Sequence, residues 1–353
     1  MNCANVCAEW RFLMNITIKD VAEKADVSPS TVSRVIAGNG RISVNTIARV
    51  KRIMEELGYY PNRMAQSLVN KTTNTLGIVL PRPADELLLN SFFPELIRGI
   101  VTSAARSGYD ILMTTGPSES EEIAAIKRLF KSRRVDGIIL MHSRKKDPVI
   151  SMLNQEQFPF VLVGRNDDSL PLLTVDTDNI QAASDATKHL IDQGHVRIGF
   201  VSGPSNLIVS QDRLEGYRKA MKEARLPVKP EWIVEGEFLQ ESGYRAMSFF
   251  MNQSDRPTAL IIIDDIITFG VLRGLSELGF HVPDDLCLVS FNNISLTELA
   301  NPPITSVDIG IYQLGYTAAH SLLQSISGEE MSSQRQIVPH RLVIRESSTK
   351  RIQ

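Results

Sequence analysis

The sequence predicts two folds in one chain: a small all-α helix-turn-helix head, followed by a larger α/β core of parallel sheets with helices on both faces. Three observations predict this. Between Met14 and Gly58 there are three short apolar periodicities of helical spacing, each opened by a hydroxyl cap. From Asn74 onward, apolar runs alternate with amphipathic stretches. Charge is also divided unevenly: nine basic residues stand against five acids between Met14 and Thr72, in a chain whose net charge is −2. That asymmetry suggests a polyanion-binding module on a neutral body.

The first helix opens at Thr17, where "TIKD" fits the capping pattern of a hydroxyl followed three residues later by a carboxylate. Ile18, Val21, Ala22 and Ala25 follow at helical spacing, and Asp26-Val27 breaks the run. Ser28 is a good cap for the second helix, and Pro29 sits at the first helical position, where proline is welcome. Val32, Val35 and Ile36 give this helix its buried side, and the two glycines of "AGNGR" end it. Ser43 opens the third, with Ile47, Val50, Ile53, Met54 and Leu57 as its apolar face and Gly58 closing it. The second helix is only about two turns long and would be marginal alone, so packing must hold it. Ser30, Thr31, Ser33 and Arg34 are thereby left to project outward. Small hydroxyls, an arginine and a helix N-terminus suit phosphates and base edges. The second helix therefore reads as a recognition helix, with Thr17, Ser28, Pro29, Ser30, Thr31, Ser33 and Arg34 as the DNA-binding set.

"TIKDVAEKADVSPSTVSRVI" resembles the N-terminal signature of the lactose-repressor (LacI/GalR) family of bacterial transcription regulators, and "EELGYYPNRMAQSLV" resembles that family's end of the third helix and hinge. The resemblance implies that "NRMAQSLVN", too short to persist alone as a helix, becomes helical on operator DNA. Two such helices, one per subunit, would enter the minor groove at the centre of a palindrome. Leu68 would be the apolar wedge that opens a base step, with Ala65 on the same face and Asn62 and Arg63 also at the DNA. Residue chemistry alone leaves a plain linker equally open.

In the core, "TLGIVLP", "ILMTTG", "GIILMH", "PFVLVGR", "RIGFVSG", "WIVEGE", "ALIIIDD" and "LCLVSFN" read as strands, with helical stretches between them. Short strands without polar alternation are those buried on both sides, and strands alternating with helices make parallel sheets. A single α/β domain of this length is open, but cores rarely grow past ~250–300 residues, so two lobes fit better. The resemblance implies the same: a periplasmic sugar-binding-protein-like core of two lobes joined by three crossovers, placed near Val175–Thr177, Thr305–Asp308 and Ile337–Pro339. The resulting divisions are a disordered extension or over-long start at 1–13, the head at 14–60, the hinge at 61–73 and the core at 74–353. The N-terminal lobe takes about 74–175 and 308–337, and the C-terminal lobe about 176–306 and 338–353.

Ligands of open α/β sheets bind outside the carboxyl ends of the strands. Those ends carry or lead to Phe92 and Phe93, Arg165, Arg213, Phe238, Asp264 and Asn292. Flat rings that stack on C–H faces, and planar polar groups that take pairs of hydroxyls, are sugar-binding chemistry. Duller roles are available to some: Arg213 as an interface ion pair, Asp264 or Asp265 as a helix cap. Many members of the family carry an Asp pair where this chain has Asn292-Asn293; the amide keeps hydroxyl recognition but removes a charge. "PRPADELLLNSFFPELIRGI", "VSFNNISLTELANPPITSVDI" and "IYQLGYTAAHSLL" resemble the maltose or maltodextrin repressors of Gram-positive bacteria. The resemblance implies a homodimer on a palindromic operator, with a small sugar, maltose or a maltodextrin, as effector and no cofactor.

Other classes find little support. No nucleophile elbow, Walker loop, dinucleotide fingerprint or H-E-x-x-H occurs, and the six histidines form no ligand-spaced pair. Cys3, Cys7 and Cys287 make no disulfide framework or zinc signature. No apolar run approaches the ~18 residues of a membrane span, and "MNCANVCAEWRFL" is a poor signal peptide, so a cytoplasmic location without membrane partners is expected. The competing readings are a sugar transport receptor, a sugar-processing enzyme with a DNA-binding head, and a catabolite control regulator whose corepressor is a phosphorylated carrier protein.

Overall fold

The computed structural model describes residues 16–38, 42–61, 72–80, 90–116, 118–166, 171–329 and 334–349. The chain divides into two compact units after Thr73. The first holds three helices, α1 (Ile18–Lys24), α2 (Pro29–Ile36) and α3 (Val44–Leu57). Val21, Ala22, Ala25, Val32, Val35, Val50 and Ile53 interlock as its core. Each helix starts where a side chain satisfies free N–H groups. The Thr17 amide and hydroxyl donate to Asp20 at 2.7 and 2.8 Å, and the Ser28 and Ser43 hydroxyls accept from the amides of Thr31 and Thr46 at 3.2 Å. Asp26, at φ +48, makes the turn between α1 and α2, and Gly58, at φ +63, ends α3.

The second unit is built on two six-stranded sheets. Its elements run β1 (Thr75–Leu80), α4 (Phe92–Arg106), β2 (Asp110–Thr115), α5 (Glu119–Lys131), β3 (Gly137–Leu140), α6 (Pro148–Gln155), β4 (Phe160–Val163), β5 (Thr174–Asp176) and α7 (Asn179–Asp192). They continue β6 (Ile198–Ser202), α8 (Ile208–Glu223), β7 (Ile233–Glu235), α9 (Gln240–Met251), β8 (Ala259–Ile262), α10 (Asp265–Glu277) and β9 (Cys287–Phe291). The chain ends with α11 (Leu296–Leu299), β10 (Thr305–Asp308), α12 (Ile311–Ser327), β11 (Arg335–Ile337) and β12 (Arg341–Val343).

The strand orders are β11-β5-β4-β3-β1-β2 and β12-β10-β9-β8-β6-β7, the same winding twice. The chain passes from the first sheet to the second after β5, returns after β10 and crosses again between β11 and β12. Among the described residues every pairing of these strands is parallel except β12 against β10, the last strand after the last crossing. Both faces of each sheet are covered. On β1, Leu76, Ile78 and Leu80 point to α4 and α12, while Val79 points to α5 and α6. In the second sheet Ile198 and Phe200 meet α7 and α8, and Val201 meets α9 and α10. The helix pairs cross very closely. A Cβ on Gly99 of α4 would lie 2.1 Å from the Tyr312 carbonyl of α12, and one on Gly315 would lie 2.0 Å from the Leu96 carbonyl.

Candidate functional site

In the head, Ser28, Pro29, Ser30, Ser33 and Arg34 are exposed along α2 and Thr31 is half-buried; Thr17 is exposed at the start of α1. Two of the hydroxyls are less free than periodicity suggests. The Ser28 Oγ lies 2.8 Å from Ser30 Oγ and 2.9 Å from Thr31 Oγ1, so all three gather at the helix N-terminus where its first N–H groups need acceptors. Ser33 and Arg34 carry no such duty. Asn62, Arg63, Ala65 and Leu68 lie outside the described residues.

In the core, a cavity of about 370 Å³ lies between the two sheets, and Phe92, Phe93, Arg165, Arg213, Phe238, Asp264 and Asn292 all line it. Seven residues spread over two hundred positions thus converge because the carboxyl ends of the strands of both lobes face each other. Arg213, on α8, is 3 % exposed. Its Nε donates to Asn179 Oδ1 at 2.9 Å and its Nη1 to the Ile263 carbonyl at 2.6 Å, and its guanidinium lies 4.2 Å above the Phe291 ring. Burial pulls its pKa down to about 10, with Asp264 and Asp176 opposing that shift.

Asp264 serves as helix cap and cavity group at once. Its Oδ1 accepts from the Ile266 amide at 2.7 Å at the start of α10, and its Oδ2 accepts from Asn292 Nδ2 at 2.7 Å. Burial pushes its carboxyl up to about 6, with the Ile266 amide and Arg213 working the other way. Because Asp264 claims the NH2 of Asn292, the amide oxygen is the end left over. That oxygen is buried without a hydrogen-bond partner among the described residues. Asn292 stands at φ +102 and Asn293 at φ +51, so the loop after β9 turns sharply to aim the amide. Asp265 does different work: it accepts from the Ile294 amide at 2.9 Å and the Ser306 hydroxyl at 2.8 Å, holding that loop.

Arg165, at the end of β4, lines the cavity but is committed across it. Its Nε and Nη2 donate to the two carboxylate oxygens of Asp212, on α8, at 2.6 and 2.5 Å. Further links join the lobes: the Lys145 amide donates to the Asn206 carbonyl and the Ile208 amide to the Ser143 carbonyl, both at 3.1 Å, and the Asn90 side chain hydrogen-bonds Asp264. The lobes are therefore drawn together over the cavity. On the N-terminal side, Phe92 and Phe93 meet edge to face with ring centres 5.1 Å apart. Arg144 pairs with the buried Glu122 at 2.9 Å.

Sequence reading missed Asn90, Asp176, Asn179 and Asp212, which orient or neutralise the named residues. Asp176 and Asn179 stand in "TVDTDN", a run of acids and amides at the first crossing; such a run at the carboxyl end of a strand was an available signal. The pairing of Arg165 with Asp212 had none, since it depends on two lobes meeting. No group of three or more His, Cys, Asp or Glu among the described residues is placed to hold a metal, and no helix among them is long and apolar enough to cross a membrane.

Residues 17–62 match the model of the bacterial regulatory proteins of the lacI family, and residues 187–348 match a periplasmic binding protein-like domain. The HTH-type transcriptional regulator MalR of Streptococcus pneumoniae is 37% identical over 338 residues, covering 94% of this chain and 99% of the relative. The structure of the transcriptional regulator CelR in complex with cellobiose is 31% identical, covers 94% of this chain and 100% of that one, and superposes with a TM-score of 0.74. The lac repressor dimer bound to operator and the anti-inducer ONPF is 25% identical, covers 95% and 99% of the two chains, and gives a TM-score of 0.83. A helix-turn-helix head on a two-lobed core, with relatives matched over nearly their whole length, places the chain in the lacI family of bacterial regulatory proteins, which are transcriptional regulators and not enzymes.

Proposed function

We propose that the chain represses a sugar-utilisation operon by binding a palindromic operator as a homodimer, and that a neutral glucose oligosaccharide, maltose or a maltodextrin, releases it. The observation that carries the effector reading is the cavity's polar pattern. Arg213 offers donors, the Asn292 amide oxygen offers a buried acceptor without a partner among the described residues, and the aromatic rings Phe92, Phe93 and Phe238 line the same cavity. A sugar hydroxyl accepts from one group and donates to the other, while its C–H faces lie on rings. Each arginine in the wall already faces a carboxylate: Arg144 faces Glu122, Arg165 faces Asp212, and Arg213 lies near Asp264 and Asp176. Among the described residues, a phosphorylated sugar would find no arginine in the wall without a carboxylate beside it, which favours a neutral ligand. A relative that binds cellobiose supports a glucose disaccharide; the resemblance of three loops to maltose repressors selects maltose. The lac repressor structure supports a dimer on an operator, and a hinge wedge works in pairs across a two-fold axis.

Release requires that the sugar bind one conformation of the core better than the operator-bound one, typically with about 1–3 kcal/mol of coupling. The strand β1 begins directly after the hinge segment, so the N-terminal lobe carries the hinge with it when the cleft closes further or opens. Calorimetry with maltose, maltotriose, cellobiose and their phosphates, run beside operator binding with and without each sugar, tests the reading. Binding of maltose with loss of operator affinity is expected. A preference for a phosphorylated sugar or a purine overturns the effector assignment, and a footprint over a single asymmetric half-site overturns the dimer.

A further inference from the structure

At the end of the N-terminal lobe opposite the cavity, α5 runs out into the turn Lys131–Asp136, which leads into β3. Strands β1, β2 and β3 are parallel, so their amino ends share this edge. The turn is tied to the place where the chain arrives from the head. Asp136 accepts from the Asn74 amide at 2.8 Å, and its own amide donates to the Thr75 carbonyl at 2.8 Å. Between residues 127 and 136 there are five cations, Lys127, Arg128, Lys131, Arg133 and Arg134, and one acid. All five are exposed. Lys131 shares Glu156 at 3.8 Å, whereas Arg133 and Arg134 have no ion-pair partner among the described residues.

The dipole of α5 favours a cation near its C-terminus, but it does not ask for one in a costly backbone position. Arg133 stands at φ +51, in the left-handed region. At the corresponding positions after α4 and α12, on the same edge, the chain uses Gly108 and Gly328; among the described residues Gln157 after α6 and, in the other lobe, Arg225 after α8 at φ +59 are further exceptions. A side chain kept where glycine is easier, and left without a counter-charge, is available to a polyanion.

We infer that this turn is a DNA contact independent of base sequence, in which Arg133 and Arg134 grip backbone phosphates of the duplex that the head holds. The inference rests on the DNA-reading role of the head. Its support is charge complementarity and connectivity. A duplex carries a negative charge about every 1.7 Å of its axis, and the chain enters the core at this edge, where β1 begins at Thr75. Phosphate contacts of this kind add affinity and salt dependence without specificity.

The test measures duplex binding by the full chain as a function of salt, using operator DNA of bare-site length, operator with flanking duplex, and a scrambled duplex. The variant is R133G/R134Q. Glycine suits φ +51, so the fold is retained, and an unchanged maltose affinity or melting curve confirms it. Roughly a threefold to tenfold weakening on all three duplexes is expected, with the salt slope reduced by about one to two. An unchanged affinity and slope on all three overturns the inference; capture of an acidic protein by this face in place of DNA would do the same. If the wild type shows no preference for operator over scrambled duplex, the operator reading fails, while the scrambled duplex still reports the Arg133 and Arg134 contact.

Discussion

Helix α2 of the head and the cavity of the core, the proposed contacts for DNA and for a sugar, both present polar groups, and they do so under opposite constraints. Along α2 the groups come from seven consecutive residues, most are exposed, and their neighbours in sequence are their neighbours in space. Water solvates them when the ligand is absent, so they cost little to keep. In the cavity the groups come from six places in the chain and several are almost wholly buried: Arg213, Asp264 and Asn292 are 3, 3 and 5 % exposed. Leaving such groups unpaired is expensive, so each must be oriented by another protein group before a ligand arrives. Asn179 holds Arg213, Asp264 holds Asn292, and Asp212 holds Arg165. Exposed recognition can thus be tuned one residue at a time, whereas buried recognition has to be changed as a set.

The sharpest break of this comparison is Arg213→Ala. It strands Asp264 and Asp176 without their cation; loss of one partner from a buried charged set costs about 3–5 kcal/mol. Thermal melting should show a core destabilised on that scale, and titration of operator complexes with sugar should show no release. Sugar-free operator affinity should stay within a few-fold of wild type, because the change lies in the other unit. If Arg213→Ala proves no more disruptive than a surface change, the cavity is not the oriented set described here.

For the head, Arg34→Ala removes an exposed group and should lower operator affinity by about 1–3 kcal/mol, roughly tenfold to a hundredfold, with no change in maltose binding. Gel-shift titration of the palindrome checks it. A larger loss, accompanied by unfolding of the head, would mean that Arg34 is structural after all.

The two regions should also answer pH with opposite signs. Burial raises Asp176 and Asp264 to about 6 and Asp265 to about 7, from an ordinary 3.8. The folded core therefore binds protons that the unfolded chain has released. This stabilisation is full below about pH 4 and is lost as pH rises through 6 to 7. In the head, hydrogen bonds from the Thr17 backbone and side chain hold Asp20 below its ordinary value, so its contribution is present above that value and lost in acid. Melting from pH 5 to 8 should show the core weakening as pH rises, and Asp265→Asn should flatten the upper part of that fall. A core whose stability rises steadily over this range would contradict the buried-acid account.

The smallest effect is expected from Ser28→Ala, which removes the cap of α2 for about 1 kcal/mol. Circular dichroism of the full chain should register a slightly earlier melt of the head and none of the core. Deleting the residues before Thr72 should likewise leave the affinity for the proposed maltose effector near native, since every residue proposed to contact it lies beyond that point.

What the sequence determined by itself is the part in which cause is local. The bounds of α1, α2 and α3 follow from Thr17, Ser28, Pro29, Ser43 and Gly58, because an N-cap or a left-handed C-terminal residue acts within one helical turn. The alternation of strand and helix in the core follows from side-chain periodicity, which is equally short in range. Position at the carboxyl end of a strand was also legible, and it pointed to Arg213, Asp264 and Asn292, which line the cavity. The tertiary structure alone decided what each group can still do. Asp264 and Asn292 are 28 residues apart, and only their contact fixes which end of the amide faces the cavity. Arg165 and Asp212 are 47 residues apart, on different lobes, and only the meeting of those lobes turns a candidate sugar contact into a cross-cleft ion pair. Hydrogen-bond capacity is a property of a residue, but what remains unspent is a property of its neighbours, and those are set by packing across long stretches of chain.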